Sequence, residues 1–172
     1  MLYPYQRTGV DFLKAHKGAL LADSVGLGKS VQALTACEEL LDVRRVLILC
    51  PAILKENWRA EIEKFYPEAT TQIVSGTQTQ RLALWRGVQK YTIANYELLI
   101  RDFTVIASRD WDVTIADEST YVSSPRAKRS KAVKKVPSRY RWAMSGTPWS
   151  NKVEDIWSPM SWLQPGLLGN FW

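Results

Sequence analysis

The sequence predicts a three-layer α/β domain in which a central, mostly parallel sheet carries helices on both faces. Short apolar runs alternate with amphipathic stretches along the 172 residues, the order typical of parallel strands joined by crossover helices. Unusual polar residues follow three of the apolar runs, and sheets of this kind bind ligands beyond the carboxyl ends of their strands. We therefore expect one domain with its site along one edge of the sheet.

The predicted strands are short apolar runs bounded by turn residues, and the predicted helices show apolar residues at helical spacing. The strands cover residues 18–23, 45–50, 72–74, 91–94, 113–116 and 140–144. The helices cover approximately residues 29–41, 54–65, 127–136 and 152–163, and a first helix near the N-terminus includes His16. Most of the eight tryptophans lie in amphipathic runs or beside apolar neighbours, so we expect them to pack in the core rather than to stack on bases.

Composition places the chain among globular intracellular proteins. Hydrophobic residues make up 46% and charged residues 23% of the sequence, a balance typical of a packed domain. The longest strongly apolar stretch, Val46–Cys50, is too short to span a bilayer. Cys37 and Cys50 show no metal-ligand spacing and are expected to be small buried residues without a disulfide. We expect no membrane partner and favour the cytoplasm of a bacterium or an infected cell, with a nucleus as the alternative.

One segment supplies the whole positive excess of the chain. The formal net charge is +6, and residues 126–141 contain eight basic and no acidic residues, which leaves 15 basic and 17 acidic residues elsewhere. As a helix, this segment would turn Lys128, Lys131, Lys134 and Lys135 away from its apolar side. Such a face either contacts a phosphate backbone or is simply solvated, and a nuclear-import signal is a third interpretation.

A glycine-rich turn lies between the first predicted strand and the helix after it. Residues 23–30 read DSVGLGKS. Gly26 and Gly28 allow backbone conformations that direct several N–H groups to one point, next to the positive end of the helix dipole. Lys29 would then reach the β- and γ-phosphates of a nucleotide, and the Ser30 hydroxyl would bind Mg²⁺. The alternative is an ordinary glycine turn that caps a helix.

Two adjacent acids follow another buried strand. Asp117 and Glu118 come directly after an apolar run and 88 residues after Lys29. Hydrolysis of a phosphoanhydride needs a carboxylate that holds the metal and a group that orients the attacking water. Asp117 suits the first role and Glu118 the second, because successive residues that leave a strand point to different sides. The alternative is an exposed acid pair without function.

Several further segments resemble the motifs of superfamily-two helicases, and in detail those of the Swi/Snf branch. In chain order they are Leu2-Tyr3-Pro4-Tyr5-Gln6, Leu21-Ala22-Asp23, Cys50-Pro51-Ala52 with Asn57-Trp58 and Glu61, Ile93-Ala94-Asn95-Tyr96-Glu97, and Ser145-Gly146-Thr147-Pro148 with Asn151. The resemblance covers nearly the whole chain and implies a RecA-like P-loop NTPase fold. It implies ATP binding by Gln6, Asp23, Gly26, Leu27, Gly28, Lys29 and Ser30.

The resemblance also implies roles outside the phosphate site. Gln6 would read the adenine edge, and Ser145 and Thr147 would couple the nucleotide state to the DNA track. The motif that contains Pro51, Asn57-Trp58 and Glu61 would lie beside the nucleic-acid backbone. Thr120 stands where the branch carries His or Asp, and at this position the chain departs from the family pattern.

The function that follows is the ATP-binding lobe of a motor that hydrolyses ATP with Mg²⁺ and translocates on double-stranded DNA. Its partners would be duplex DNA and a second RecA-like lobe outside this chain. That lobe supplies arginines to the transition state, so this lobe alone should be weakly active or inactive. The alternatives are an RNA or strand-separating helicase, and a scaffold that binds nucleotide or DNA without turnover.

Overall fold

Six parallel strands form one sheet in the computed structural model, which describes residues 2–147 and 154–169. The strands are β1 (Gly18–Leu21), β2 (Val46–Cys50), β3 (Thr71–Ile73), β4 (Tyr91–Asn95), β5 (Trp111–Ala116) and β6 (Ser138–Met144). Their order is β1-β6-β5-β2-β4-β3, and every neighbouring pair is parallel. The predicted mostly parallel sheet is confirmed, and within the described residues it is parallel throughout.

The helices include three that the sequence pattern did not predict. The helices are α1 (Pro4–Ala15), α2 (Lys29–Glu39), α3 (Lys55–Phe65), α4 (Gln78–Trp85), α5 (Tyr96–Arg101), α6 (Phe103–Ala107), α7 (Lys128–Lys134) and α8 (Glu154–Leu163). Helices α4, α5 and α6 have eight, six and five residues, too few turns for a helical period to show. Residues 152 and 153, predicted to begin the last helix, lie outside the described residues. No helix in the described part of the chain is long and apolar enough to cross a membrane.

The sheet separates two hydrophobic cores, and β2 contributes to both. Val46, Ile48 and Cys50 pack into the core under α1, α2 and α3. Leu47 and Leu49 point to the opposite face, where they join the core under α4 to α8. All five side chains are completely buried. A strand covered on both faces needs an uninterrupted apolar run rather than an alternating one, which explains the sequence VLILC.

Both cysteines and five tryptophans are buried as predicted. The thiols of Cys37 and Cys50 are free, and burial raises the pKa of Cys37 and raises that of Cys50 to about 12. The buried tryptophans are Trp58, Trp85, Trp111, Trp142 and Trp162. Their packing role is therefore confirmed.

The order of the sheet brings the polar segments together. Strand β6 lies between β1 and β5, so the segments after these three strands emerge side by side at the carboxyl edge. The backbone N–H of Ser145 donates to the carbonyl of Leu21 at 3.2 Å, which joins the ends of β6 and β1. The N–H of Asp117 donates to the carbonyl of Leu49 at 2.8 Å and joins the ends of β5 and β2 in the same way.

Candidate nucleotide-binding site

The phosphate loop depends on two glycines in left-handed conformations. Gly26 and Gly28 have φ angles of +85° and +73°, a region that residues with a β-carbon rarely adopt. Gly28 directly precedes α2, and a β-carbon on it would lie 2.5 Å from Nε2 of Gln6. Glycine is therefore required at position 28 both by the backbone conformation and by the close approach of α1.

Lys29 is the first residue of α2 and turns its ammonium group back over the loop. Its Nζ donates to the carbonyls of Asp23 at 2.8 Å and Ser24 at 3.1 Å. The charge thus lies at the centre of the loop and beside the positive end of the α2 dipole. Both features attract a phosphate group.

Gln6 links α1 to the phosphate loop by hydrogen bonds. Its Oε1 accepts a hydrogen bond from the N–H of Tyr3 at 3.0 Å, and its Nε2 donates to the carbonyl of Leu27 at 3.2 Å. Only 8% of the residue is exposed. Both ends of the amide are therefore used within the protein, and the assignment of Gln6 to the adenine edge stays a prediction.

A second glutamine, which the sequence pattern did not single out, supports the same loop. Gln32 on α2 is completely buried, and its Nε2 donates to Oδ2 of Asp23 at 2.9 Å and to the carbonyl of Leu27 at 3.3 Å. Its Oε1 faces Gly9 of α1, where an added β-carbon would lie 1.8 Å away. This Oε1 has no hydrogen-bond partner among the residues that the structure describes. Gln6 and Gln32 together fix the carbonyl of Leu27.

Both carboxylate oxygens of Asp117 accept hydrogen bonds. Oδ2 accepts from the indole N–H of Trp58 and Oδ1 from the backbone N–H of Glu118, each at 2.9 Å. Burial raises the pKa of Asp117, and these two hydrogen bonds and the charge of Lys29 oppose that shift. Each oxygen keeps further lone pairs that are not used by these donors, so the carboxylate fits a metal ligand or a ligand of metal-bound water.

Glu118 has a strained backbone. Its φ and ψ are 50° and 59°, and it is the one non-glycine residue with positive φ in the described part of the chain. Such a conformation costs about 1 kcal/mol or more and is typical of functional sites. Within residues 2–147 and 154–169 no group bonds to its carboxylate. The side chain is therefore free to orient a water molecule.

The phosphate loop and the acid pair line one cleft of about 360 Å³, a volume within the usual range for ligand sites. Its lining residues are Gly26, Gly28, Lys29, Ser30, Leu54, Asn57, Trp58, Glu61, Asp117 and Glu118. Lys29 and Asp117 thus share a pocket, as the two separate motifs predicted. The structure adds a wall from α3, formed by Asn57, Trp58 and Glu61, which the resemblance had placed beside the nucleic acid.

The segment after β6 touches the phosphate loop directly. Ser145 is 1% exposed, and its Oγ accepts a hydrogen bond from the N–H of Thr147 at 3.0 Å. A β-carbon on Gly146 would lie 2.6 Å from Cγ2 of Val25 and 3.7 Å from Nζ of Lys29. The segment with the predicted coupling residues Ser145 and Thr147 therefore lies in van der Waals contact with the phosphate loop. Pro148 and Asn151 of the same motif lie outside the described residues.

Comparison with known families decides the assignment. Residues 5–172 match the SNF2-related domain, which is nearly the whole chain. This chain belongs to the SNF2-related family. The Swi/Snf resemblance seen in the sequence is thereby confirmed.

Relatives of this SNF2-related domain include longer proteins from bacteria and fungi. An uncharacterized ATP-dependent helicase of Mycoplasma pneumoniae is 30% identical over 175 residues, which cover 96% of this chain and 17% of that protein. The TATA-binding protein-associated factor mot1 of Aspergillus fumigatus is 30% identical over 189 residues, which cover 98% of this chain and 10% of that protein. The domain therefore spans less than a fifth of these relatives.

A solved relative has the same fold. The solved structure of the Sulfolobus solfataricus SWI2/SNF2 ATPase core in complex with dsDNA matches with a TM-score of 0.89 and 32% identity. The match covers 99% of this chain and 37% of that one. The RecA-like α/β fold predicted for the SNF2-related domain is confirmed.

Only some of the basic residues of the segment 126–141 are exposed to solvent. Lys128, Lys131 and Lys135 are exposed and line a shallow cleft of about 290 Å³ together with Ile100 and Phe103. Their contact with nucleic acid stays a prediction.

Lys134 differs from the three exposed lysines. It is half-buried, with its Nζ 4.9 Å from the centre of the Trp157 ring, and burial lowers its pKa. The expectation that Lys134 points outward with the others was wrong, because α8 packs over it.

Pro51 is buried in this SNF2-related domain. Its carbonyl accepts the N–H of Leu54 at 2.9 Å and so begins the short 3₁₀ turn Ala52–Leu54. The exposed side chain of this turn is Ile53, of which 84% is accessible. The contact of Pro51 with nucleic acid stays a prediction. Because the Pro51 ring is buried, the accessible surface here is the turn Ala52–Leu54.

Proposed function

We propose that this domain is the ATP-binding lobe of a DNA-dependent motor that hydrolyses ATP with Mg²⁺ and translocates along double-stranded DNA. One observation carries the proposal. The phosphate-loop residues Lys29 and Ser30 line the same cleft as the acids Asp117 and Glu118. The motor would be completed by a second RecA-like lobe, as expected for a chain that covers 37% of the Sulfolobus ATPase core.

Four residues of the cleft have roles that their positions support, namely Lys29, Ser30, Asp117 and Glu118. Lys29 binds the β- and γ-phosphates. Ser30 and Asp117 would hold the Mg²⁺, which when bound would neutralise charge that develops on the phosphates. Glu118 orients the attacking water and accepts its proton. Asp23 takes part through its loop carbonyl, which bonds to the Lys29 ammonium at 2.8 Å.

Recognition of the base and coupling to DNA involve the flanking segments. Gln6 lies against Gly28 and would face the adenine end of a nucleotide that enters the loop. Ser145 and Thr147 would relay the presence of the γ-phosphate, because Gly146 between them contacts Val25 of the phosphate loop.

The assignment of Glu118 is tested by Glu118→Gln in the protein with both lobes. The variant should bind ATP like the parent and should lose at least about a hundredfold in hydrolysis, because a general base contributes a factor of this size. Glu63→Gln, on the exposed part of α3, is the matched control and should hydrolyse normally. Turnover that survives in Glu118→Gln would remove this residue from the chemistry.

The choice of nucleic acid is tested by stimulation of hydrolysis in the two-lobe protein. Duplex DNA should stimulate more than single strands or RNA, in line with the duplex bound to the Sulfolobus ATPase core. Stimulation by RNA or single strands alone would replace the proposal with an RNA or strand-separating helicase. If the protein binds nucleotide but does not hydrolyse it with duplex DNA, single strands or RNA, it would be a nucleotide- or DNA-binding scaffold.

The basic segment is tested by the salt dependence of duplex binding. Combined Lys128→Gln, Lys131→Gln and Lys135→Gln should flatten the slope of log K against log salt by about 0.9 for each phosphate that the segment no longer neutralises. Lys134→Gln is the matched control, since its ammonium lies over Trp157. An unchanged slope in the triple variant would place the DNA elsewhere.

A further inference from the structure

Trp58 makes a contact that sets it apart from most of the buried tryptophans. Its side chain lies on α3 and is 2% exposed. The indole N–H of Trp111 donates to the carbonyl of Ile106, and that of Trp142 to the carbonyl of His16. The indole N–H of Trp58 donates instead to Oδ2 of Asp117, at 2.9 Å.

Asp117 is held from two sides by donors that carry no charge. The Trp58 indole reaches Oδ2 from α3, while the backbone N–H of Glu118 reaches Oδ1 from the chain after β5. The Tyr96 hydroxyl donates to the carbonyl of Asp117 at 2.7 Å and holds the backbone as well. Because neither carboxylate donor is a cation, the negative charge of Asp117 stays available to the cleft.

We propose that Trp58 is a positioning residue that orients the Asp117 carboxylate for Mg²⁺–ATP. The indole fixes the side-chain torsion of Asp117 and occupies one lone pair of Oδ2, so that the remaining lone pairs point into the cleft that Trp58 itself lines. The inference rests on the proposed function, in which Asp117 holds the metal.

The role predicts a selective loss of affinity. Partners that orient a metal ligand typically contribute a factor of about 10 to 100 to metal affinity. Trp58 bonds to Asp117 and not to the phosphate loop. Removal of its N–H should therefore reduce the gain in ATP affinity that Mg²⁺ provides, and should leave the metal-free affinity within about twofold.

The experiment removes the N–H in two ways in this 172-residue chain. Trp58→Phe keeps an aromatic ring, and site-specific replacement of Trp58 by β-(3-benzothienyl)alanine keeps the bicyclic shape with sulfur in place of N–H. The dissociation constant of a non-hydrolysable ATP analogue is measured by calorimetry in Mg²⁺ and in EDTA. Trp142→Phe, which removes an indole bond to a carbonyl remote from the cleft, is the matched control.

We expect both Trp58 replacements to reduce the gain in ATP-analogue affinity between EDTA and Mg²⁺ by at least about tenfold. In Trp142→Phe this gain should be unchanged. The inference is overturned if the benzothienyl protein binds like the parent in Mg²⁺, or if its affinity in EDTA falls by the same factor, since either result would reduce Trp58 to packing. A parent chain whose ATP affinity does not respond to Mg²⁺ would instead refute the proposed function.

Discussion

The substitution Gly9→Ala tests how α1 supports the phosphate loop. A β-carbon at position 9 would lie 1.8 Å from Oε1 and 3.0 Å from Cδ of Gln32, and 3.4 Å from Cδ1 of Leu21. Gln32 is completely buried, so its amide has no open space into which it can retreat. It must give up its hydrogen bonds to Asp23 and Leu27.

The expected cost follows from those two bonds. A hydrogen bond to a charged group contributes about 1.5–3 kcal/mol and one to a carbonyl about 1 kcal/mol. Alanine is better than glycine inside a helix by about 1 kcal/mol, which offsets part of the loss. We expect Gly9→Ala to lower the free energy of unfolding by about 1–3 kcal/mol, or the Tm by about 2–4 °C per kcal/mol. Nucleotide affinity should fall as well, because Asp23 and Leu27 belong to the loop.

Urea denaturation of a double-mutant cycle measures the effect. In a Gln32→Ala background the alanine at position 9 no longer meets an amide. Adding Gly9→Ala to that background should therefore lower the free energy of unfolding little or should raise it. Thr8→Ala, at an exposed neighbouring position of α1, is the control for helix propensity. Equal costs of Gly9→Ala in both backgrounds would refute the reasoning.

Three further results are expected. The ion pair with Arg81 holds the pKa of Asp102 below its usual range. The advantage of the parent over Asp102→Asn in urea unfolding should therefore be complete above the unfolded pKa of about 4 and vanish as pH falls through the lower folded value. Cys37 and Cys50 should resist iodoacetamide at pH 8 until the protein unfolds, because burial raises the pKa of both thiols, and labelling in the native state would contradict this. Gly146→Ala should displace Val25 and weaken ATP binding while the Tm changes little, and a large fall in Tm would show that the glycine serves folding instead.

The predictable part of the site is the part with strong local chemistry. Gly28 and Lys29 belong to a loop whose backbone conformation nearly requires glycine, so a short pattern identifies it. Asp117 follows a strand buried on both faces, and the carboxyl ends of parallel strands share one edge. These two facts sufficed to predict that Lys29 and Asp117 meet across 88 residues of sequence.

The residues that escaped prediction take their environment from distant helices. Gln32 lies on an amphipathic helix, where a glutamine usually faces water, and it is buried because Gly9 lets α1 approach. The helical period places Lys134 among the polar residues of α7, but Trp157 of α8 covers it. Most of the tryptophans were predicted to pack in the core, but nothing in the local sequence shows that the N–H of Trp58 meets Asp117. Tertiary packing decided each case.

The position of β6 explains why three separate motifs make one site. This last strand is inserted between the first and the fifth, with Met144 paired to Leu21 and Ala143 paired to Ala116. The segment after it must therefore pass between the phosphate loop and the acid pair. A side chain at position 146 would enter space that Val25 occupies, so a displacement of the loop by a bound phosphate would press on this segment. The strand order thus places Ser145 and Thr147 next to the phosphate loop, and the coupling role proposed for them rests on that position.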